Sequence, residues 1–141
     1  MPEPRHRRGL LDTSVVIALE RIDAGDLPEQ LAISAVTLAE LAAGPHATSD
    51  STERARRQDR LQRVEATFDP MPFDALSARA YGRIYAAAVA SGRKARGRRA
   101  VDLLIGAVAL GHDLPVYTCN PNDFARLGEL EVVAVRSPAE G

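Results

Sequence analysis

Four acidic residues lie within or directly beside the apolar segments that must build the core of this chain. Their segments are Gly9-Leu-Leu-Asp12, Val36-Thr-Leu-Ala-Glu40, Ala100-Val-Asp102-Leu-Leu-Ile and Tyr117-Thr-Cys-Asn-Pro-Asn-Asp123. Carboxylates are rarely buried unless they are paired or bind a metal. Two unit charges about 4 Å apart interact by roughly 4 kcal/mol at an effective dielectric of 20. A fold that brings these four acids together must therefore share protons among them or bind a cation.

The length of 141 residues, with 45% hydrophobic residues, predicts one domain with an aliphatic core. Aromatic residues make up only 4%, so stacking platforms for single-stranded bases are scarce. We expect a flexible basic arm over residues 1–8, a single domain over 9–136 and a tail over 137–141. The formal net charge of −1 argues neither for nor against a nucleic-acid partner.

The single cysteine, Cys119, excludes an intrachain disulfide and a cysteine-rich zinc site. The three histidines share no spacing with one another or with a nucleophile, so a Ser-His-Asp or Cys-His site is unsupported. The N-terminus lacks the unbroken apolar region of a signal peptide, and no apolar run approaches the length of a membrane span. We expect a cytoplasmic protein with no membrane partner.

Short apolar runs alternate with helical segments, which predicts an α/β fold with a mainly parallel sheet. Strands are predicted at 10–12, 31–34, 115–118 and 131–135, with a brief extended segment at 71–73. Helices are predicted at 14–21, 35–43, 52–68, 75–91 and 100–110. Ligands of parallel sheets gather beyond the carboxyl ends of the strands. All four acids can therefore face one edge of the sheet.

Each acid taken alone also has a structural explanation. Asp12 can cap the following helix, and Thr37 with Glu40 matches a capping box. Asp102 can interact favourably with a helix N-terminus, which is worth roughly 0.3–1 kcal/mol. Asp123 can belong to a turn. Four such explanations at once are less economical than one shared site.

Seventeen of the 18 basic residues are arginine, the better bidentate phosphate ligand, and Lys94 is the only lysine. One basic set forms a predicted loop over residues 93–99. It is either a solvated loop or a surface that binds a polyanion through Arg93, Arg96, Arg98 and Arg99. The second set lies in the predicted helix 52–68, where interleaved acids predict ion pairs along the helix face. Its members are Arg54, Arg56, Arg57, Arg60 and Arg63.

Taken in order, these segments resemble the PIN-domain family, and most closely its VapC-type toxins of type II toxin–antitoxin pairs. The matching motifs are Leu-Leu-Asp12-Thr-Ser, Thr37-Leu-Ala-Glu40-Leu, Val-Asp102-Leu-Leu-Ile-Gly-Ala and Thr118-x-Asn120-x-x-Asp123-Phe124. The resemblance implies a PIN-like three-layer sandwich with a short, mainly parallel central sheet. It also implies a Mg²⁺- or Mn²⁺-dependent ribonuclease that forms a homodimer and has a small partner antitoxin.

The resemblance assigns roles residue by residue. Asp12, Glu40, Asp102 and Asp123 take the positions of the family's acidic quartet. Three residues match polar positions that often brace the acids: Ser14, Thr118 and Asn120. In the family the Asn120 position can be acidic; here it is neutral, so Asp123 must supply that carboxylate.

Oxygen ligands without cysteine or convergent histidine favour Mg²⁺, or alternatively Mn²⁺, over zinc. We expect Asp12 and Asp102 to be the primary ligands, with Glu40 and Asp123 completing one or two metal positions. The expected reaction is hydrolysis of RNA phosphodiester bonds by a metal-activated water, leaving 5′-phosphate and 3′-hydroxyl ends.

Two alternatives stay open at this point. One is a catalytically silent PIN fold that works only as a binding module. The other is a Mg²⁺-dependent phosphoreceiver domain, which also gathers acids at strand ends. A phosphoreceiver normally uses a pair of acids after its first strand and a lysine late in the chain. This chain has no Asp-Asp pair and no lysine after Lys94.

Overall fold

Four short parallel strands form the centre of the fold in the computed structural model, which describes residues 6–138. The strands lie in the order β2-β1-β3-β4, and their bounds are β1 Arg8–Leu11, β2 Gln30–Ala32, β3 Val116–Thr118 and β4 Val132–Ala134. Leu10 of β1 is in register with Ala32 on one side and with Val116 on the other. The predicted parallel sheet is confirmed.

Five α-helices connect and cover these strands. They are α1 Thr13–Ala18, α2 Ala35–Ala43, α3 Ser51–Thr67, α4 Ala75–Ala90 and α5 Arg98–Gly111. Short 3-10 turns follow α1 and α2, and another, Pro121–Phe124, follows β3.

The two faces of the sheet bury separate cores, because successive residues of a strand point to opposite faces. Leu10 packs with Ile84 of α4 and Val108 of α5 in one cluster. Leu11, the next residue, packs with Val15 of α1 in the other cluster, which also includes Val64 of α3. The result is the three-layer helix–sheet–helix sandwich that the sequence predicts.

Side-chain caps determine where several helices begin. The Ser34 hydroxyl oxygen accepts a hydrogen bond of 3.1 Å from the backbone N–H of Thr37, and it is fully buried. Asp74 likewise caps α4 by accepting from the Ser77 N–H at 2.9 Å. His112, directly after α5, has its Nε2 atom 2.9 Å from an Asp74 carboxylate oxygen. This contact joins the end of α5 to the start of α4.

Two predicted boundaries are wrong in an informative way. Helix α5 begins at Arg98, inside the predicted basic loop and two residues before the predicted start, because Gly97 adopts a φ of 64° and turns the chain into the helix there. Strand β1 begins at Arg8, since the Arg7 carbonyl already accepts a hydrogen bond of 2.8 Å from the Gln30 N–H. The remainder of the predicted flexible arm, residues 1–5, and residues 139–141 of the predicted tail lie outside the described residues.

Across residues 6–138, none of the helices combines the length and the apolar character that crossing a membrane requires.

Candidate active site

The candidate site lies at the carboxyl edge of the two central strands. Asp12 directly follows β1 and Thr118 ends β3. Asp123 lies five residues beyond β3, in the 3-10 turn Pro121–Phe124. Helix α2 carries Glu40, and helix α5 carries Asp102. The elements that carry the acids therefore converge where a parallel sheet gathers its ligands.

Asp12 is the most deeply buried of the four acids, with 5% of its surface exposed. Its Oδ1 accepts hydrogen bonds from the Ser14 hydroxyl at 2.6 Å and from the Val15 backbone N–H at 3.0 Å. The Thr118 hydroxyl also interacts with this carboxylate. Burial raises the pKa of Asp12, while these donors oppose the rise. Asp12 is thus both the cap of α1 and a rigidly held carboxylate at the sheet edge.

Glu40 is oriented by helix α1 across the gap between α1 and α2. The Thr13 hydroxyl donates a short hydrogen bond to Glu40 Oε1 and lies 3.1 Å from the Thr37 hydroxyl oxygen. The capping-box explanation of Glu40 is wrong, because Ser34 rather than Thr37 is the N-cap of α2. The Glu40 carboxylate is instead free of the backbone and directed by a hydroxyl from another helix.

Asp102 receives the electrostatic influence of all three other acids. Burial and, next, the charge of Asp123 raise its pKa to about 6, and Asp12 and Glu40 add to the rise. The Arg98 guanidinium acts in the opposite direction. Because α5 begins at Arg98, Asp102 is the fifth helical residue and lies beyond the first turn, where a dipole interaction has faded. The structure therefore brings the predicted quartet within electrostatic range of one carboxyl group.

Asp123 is held by its turn and by the basic loop. Its backbone N–H donates to the Asn120 carbonyl at 3.0 Å. Asn120 in turn donates its N–H to the Thr118 hydroxyl at 2.9 Å, while its own side chain is exposed. Arg93 donates from Nη1 to the Asn122 carbonyl at 2.8 Å, which ties the loop before α5 to this turn.

The four arginines of the predicted loop, which are candidate contacts for an RNA backbone, have different surroundings. Arg93 is engaged with Asn122, and Arg96 is exposed in the loop. Arg98 is exposed at the start of α5, and its charge acts to lower the pKa of Asp102. Arg99 is half-buried in the first turn of α5. Of this set, Arg98 has the most direct relation to the candidate site.

A divalent cation suits the donors at this edge. Within residues 6–138, no three histidine, cysteine or acidic side chains are arranged as a complete ligand set for one ion. Mg²⁺ does not need such a set, since it usually takes one or two carboxylates and fills its remaining positions with water and substrate phosphate oxygens. Burial first, and then repulsion from the other carboxylates, raises the pKa of Asp102, and a cation would relieve the repulsion.

Two residues of the site escaped the sequence reasoning. Thr13 was passed over in favour of its neighbour Ser14, and Thr37 was interpreted only as a cap. Both hydroxyls are buried beside Glu40. The available signal was the presence of two threonines near the start of otherwise apolar helices, where a hydroxyl needs a partner.

The chain matches the PIN domain family model over residues 9–130. It is 39% identical over 132 residues to Ribonuclease VapC5 of Mycobacterium tuberculosis, which covers 91% of this chain and 94% of that protein. Ribonuclease VapC of Rickettsia bellii is 32% identical over 134 residues, or 89% and 95% of the two chains. The crystal structure of VapBC-5 of M. tuberculosis, a toxin–antitoxin system, superimposes with a TM-score of 0.79 at 38% identity and covers 92% and 99%. The chain belongs to the PIN-domain family, in its VapC branch.

Proposed function

We propose that this protein is a divalent-metal-dependent endoribonuclease, the toxin of a toxin–antitoxin pair. The observation that carries the proposal is the convergence of Asp12, Glu40 and Asp123 on Asp102, whose pKa rises to about 6. The relatives named as ribonucleases match this chain over nearly its whole length, which supports RNA as the substrate. An RNA substrate in turn favours the cytoplasm as the working compartment.

The chain's own residues have distinct tasks in this reaction. Asp12 and Asp102 would hold Mg²⁺ or, alternatively, Mn²⁺ at the edge of the sheet. Ser14 and Thr118 fix the Asp12 carboxylate through their hydroxyls. Thr13 orients the Glu40 carboxylate through its hydroxyl, and the turn that begins at Asn120 holds the backbone of Asp123.

When bound, the metal supplies an activated water for attack on phosphorus and neutralises charge on the phosphodiester. The protein adds orientation, because buried hydroxyl and backbone donors hold the carboxylates before substrate arrives. No histidine base is needed. Among the described residues, His112 is occupied by Asp74 at the far end of α5 from Asp102.

Asparagine substitutions test the reaction. We expect Asp12→Asn and Asp102→Asn to lose at least about 100-fold in the rate of RNA cleavage, since each removes a carboxylate ligand. Wild-type protein is assayed with Mg²⁺, with Mn²⁺ and with EDTA, and the products are checked for 5′-phosphate and 3′-hydroxyl ends. Asp69→Asn, an exposed carboxylate in the loop after α3, is the control. Full activity in EDTA, or in both asparagine variants, would rule out the proposed mechanism.

A small antitoxin is the proposed protein partner. The VapBC-5 structure, described as that of a toxin–antitoxin system, aligns with 92% of this chain at 38% identity and supports this part of the proposal. Finding a short reading frame for a DNA-binding protein directly upstream, whose product co-purifies with the chain, would test it. Absence of any co-purifying product from that operon would count against it.

A homodimer is the proposed assembly. Its support is an outward face of α4 that carries large apolar side chains, with Tyr85 46% and Val89 55% exposed. These residues are four apart, so they lie on one face of the helix. Ile84 and Ala88, each one residue earlier, lie about 100° around the helix and are buried in the core with α5.

A further inference from the structure

A cavity beside the acidic edge contains an arginine that has no protein partner. The cavity measures about 390 Å³ and lies between α1, α2, α3 and the start of α5. Thr13 and Glu40 line it on the side of the acids. Arg57, Arg60 and Arg98 line it elsewhere. It is therefore continuous with the candidate site and has the opposite charge character.

The other arginines of α3 are engaged, much as the helix-face pattern predicts. Arg57 donates to Glu53 at 3.1 Å and to the Gly44 carbonyl at 2.9 Å. Arg56 and Arg63 have acidic partners, and Arg54 donates to two backbone carbonyls. Arg60 differs from them. Within the described part of the chain its guanidinium has neither an ion pair nor a hydrogen bond, although the residue is half-buried.

Among the described residues, none of the Arg60 side-chain nitrogen atoms is both buried and unpartnered, so its guanidinium is open to solvent and to an anion that enters the cavity. Arg98 approaches the same cavity from α5. Glu53 pairs with Arg57, and Glu40, whose partner Thr13 is neutral, is the other carboxylate in the lining. Three arginines therefore face two carboxylates in the cavity. The cavity thus presents two guanidinium groups, Arg60 and Arg98, to whatever enters it.

We infer that this cavity binds a phosphate of the RNA strand next to the one that is cleaved, with Arg60 as its principal ligand and Arg98 as the second. The inference rests on the proposed ribonuclease function. A phosphodiester is favoured over an acidic protein segment because the cavity shares Thr13 and Glu40 with the catalytic edge, so one continuous strand can occupy both. Arg60 and Arg98 then determine where the strand lies relative to the acids.

Binding of RNA without cleavage tests this inference. The parent protein is Asp102→Asn, the probe is a 12-nucleotide oligouridine, and its anisotropy is followed between 50 and 200 mM salt, about the range over which phosphate contacts are weakened most visibly. Adding Arg60→Gln is expected to weaken affinity about tenfold, as for loss of a charge-assisted hydrogen bond. The slope of log K against log salt should shrink by about 0.7 for the lost phosphate contact. Arg60→Lys should keep the slope, because an ammonium still neutralises the phosphate.

Arg56→Gln is the matched control. It removes the same charge from the same helix, but its side chain is 72% exposed and lies outside the cavity. We expect it to change affinity less than about twofold, in line with a weak surface charge. Equal effects of Arg56→Gln and Arg60→Gln would overturn the inference. The inference would also be overturned if Arg60→Gln weakened binding of an oligoglutamate peptide of matched charge but not of oligouridine. The cavity would then bind an acidic protein segment.

The two proposals can fail separately. Suppose that Arg60→Gln weakens oligouridine binding but the wild-type protein, with Asp102 intact, does not cleave RNA. That result would refute the proposed reaction and leave the cavity assignment in place. Protein that cleaves RNA and binds it equally well with Arg60→Gln would refute the cavity assignment alone. If the Arg60→Gln variant has the same melting temperature as its parent, any loss of RNA affinity is not caused by unfolding.

Discussion

Asp102 is the residue at which the cost of gathering the four acids is concentrated. Three carboxylates act on it, and burial removes part of the water that would otherwise screen them. When folding raises the pKa of a carboxyl group, the ionised group lowers the free energy of unfolding. This effect is complete at high pH, where the group is ionised in both the folded and the unfolded chain. The same property makes Asp102 a natural ligand for a cation.

Stability without metal should therefore depend on pH through Asp102. In the unfolded chain its pKa is 3.8, and in the folded chain it is about 6. The folded state holds the proton more tightly between these values, so stability falls as pH rises from 4 to 6 and stays lower above 6. We expect Asp102→Asn to stabilise the protein by ~1 kcal/mol at pH 7.5 after allowance for partial exposure.

Urea unfolding in EDTA at pH 7.5 and pH 5 measures this effect. The advantage of Asp102→Asn over wild type should shrink at pH 5. An advantage that is the same at both pH values would contradict the electrostatic account. Asp69→Asn, at an exposed site, serves as the charge-matched control.

Thr13 is expected to act as a positioning residue for Glu40. Thr13→Val removes the hydroxyl that donates to Glu40 Oε1 and keeps the side-chain shape. We expect kcat for RNA cleavage to fall about tenfold, the lower range for lost partners of metal-binding side chains, with KM changed little. Thr13→Ser should restore most of the rate. A Thr13→Val enzyme with unchanged kcat would show that Glu40 does not need this hydrogen bond.

At the scale of elements, the α4–α5 pair supports one side of the site because α5 carries Asp102. The helices approach most closely where α5 ends. A Cβ placed on Gly111 would lie 2.8 Å from the Leu76 carbonyl oxygen of α4, a backbone atom that cannot move aside. Gly82, in the middle of α4, has open space around it.

Alanine substitutions at these two glycines should have opposite effects. Gly111→Ala is expected to destabilise the fold by about 1–3 kcal/mol through overpacking against the backbone. Gly82→Ala is expected to stabilise it by about 0.5–1 kcal/mol, because alanine is the better residue in a helix interior. Thermal or urea unfolding of the two variants gives the comparison. Similar free energies of unfolding for both would contradict the close contact.

Element boundaries were predictable where local chemistry marks both ends. Helix α2 has the predicted bounds, since Ser34 caps its start and Gly44-Pro45 interrupts its regular hydrogen bonding. The start of α5 was not predictable, because two arginines look like loop residues until the φ of Gly97 is known. For the same reason Arg98 was assigned to a loop, although it lies in a helix and its charge acts on Asp102.

At the scale of the whole molecule, the exposed apolar face of α4 predicts self-association. Val89→Asp would place a charge in the centre of that face. We expect wild type to run as a dimer by light scattering after size exclusion, and Val89→Asp to run as a monomer with an unchanged circular dichroism spectrum, since burying an unpaired carboxylate opposes association. Arg83→Asp, an exposed α4 position off the Tyr85–Val89 stripe, is the control. A wild-type monomer at 50 µM, a concentration on the order of weak-dimer dissociation constants, would contradict the prediction.

The α/β class, the parallel sheet and the four acids could all be read from the sequence. Hydrophobic periodicity and position at a strand end are local properties, and an acid inside an apolar segment is visible without coordinates. How those acids are held, and which side chains lie beside them, became known from the packed structure. Thr13 donates a hydrogen bond to Glu40, which is 27 positions away in the sequence. Arg60 and Arg98 line one cavity that is formed by elements far apart in the chain. Such contacts depend on how helices pack around the sheet, which no local pattern records.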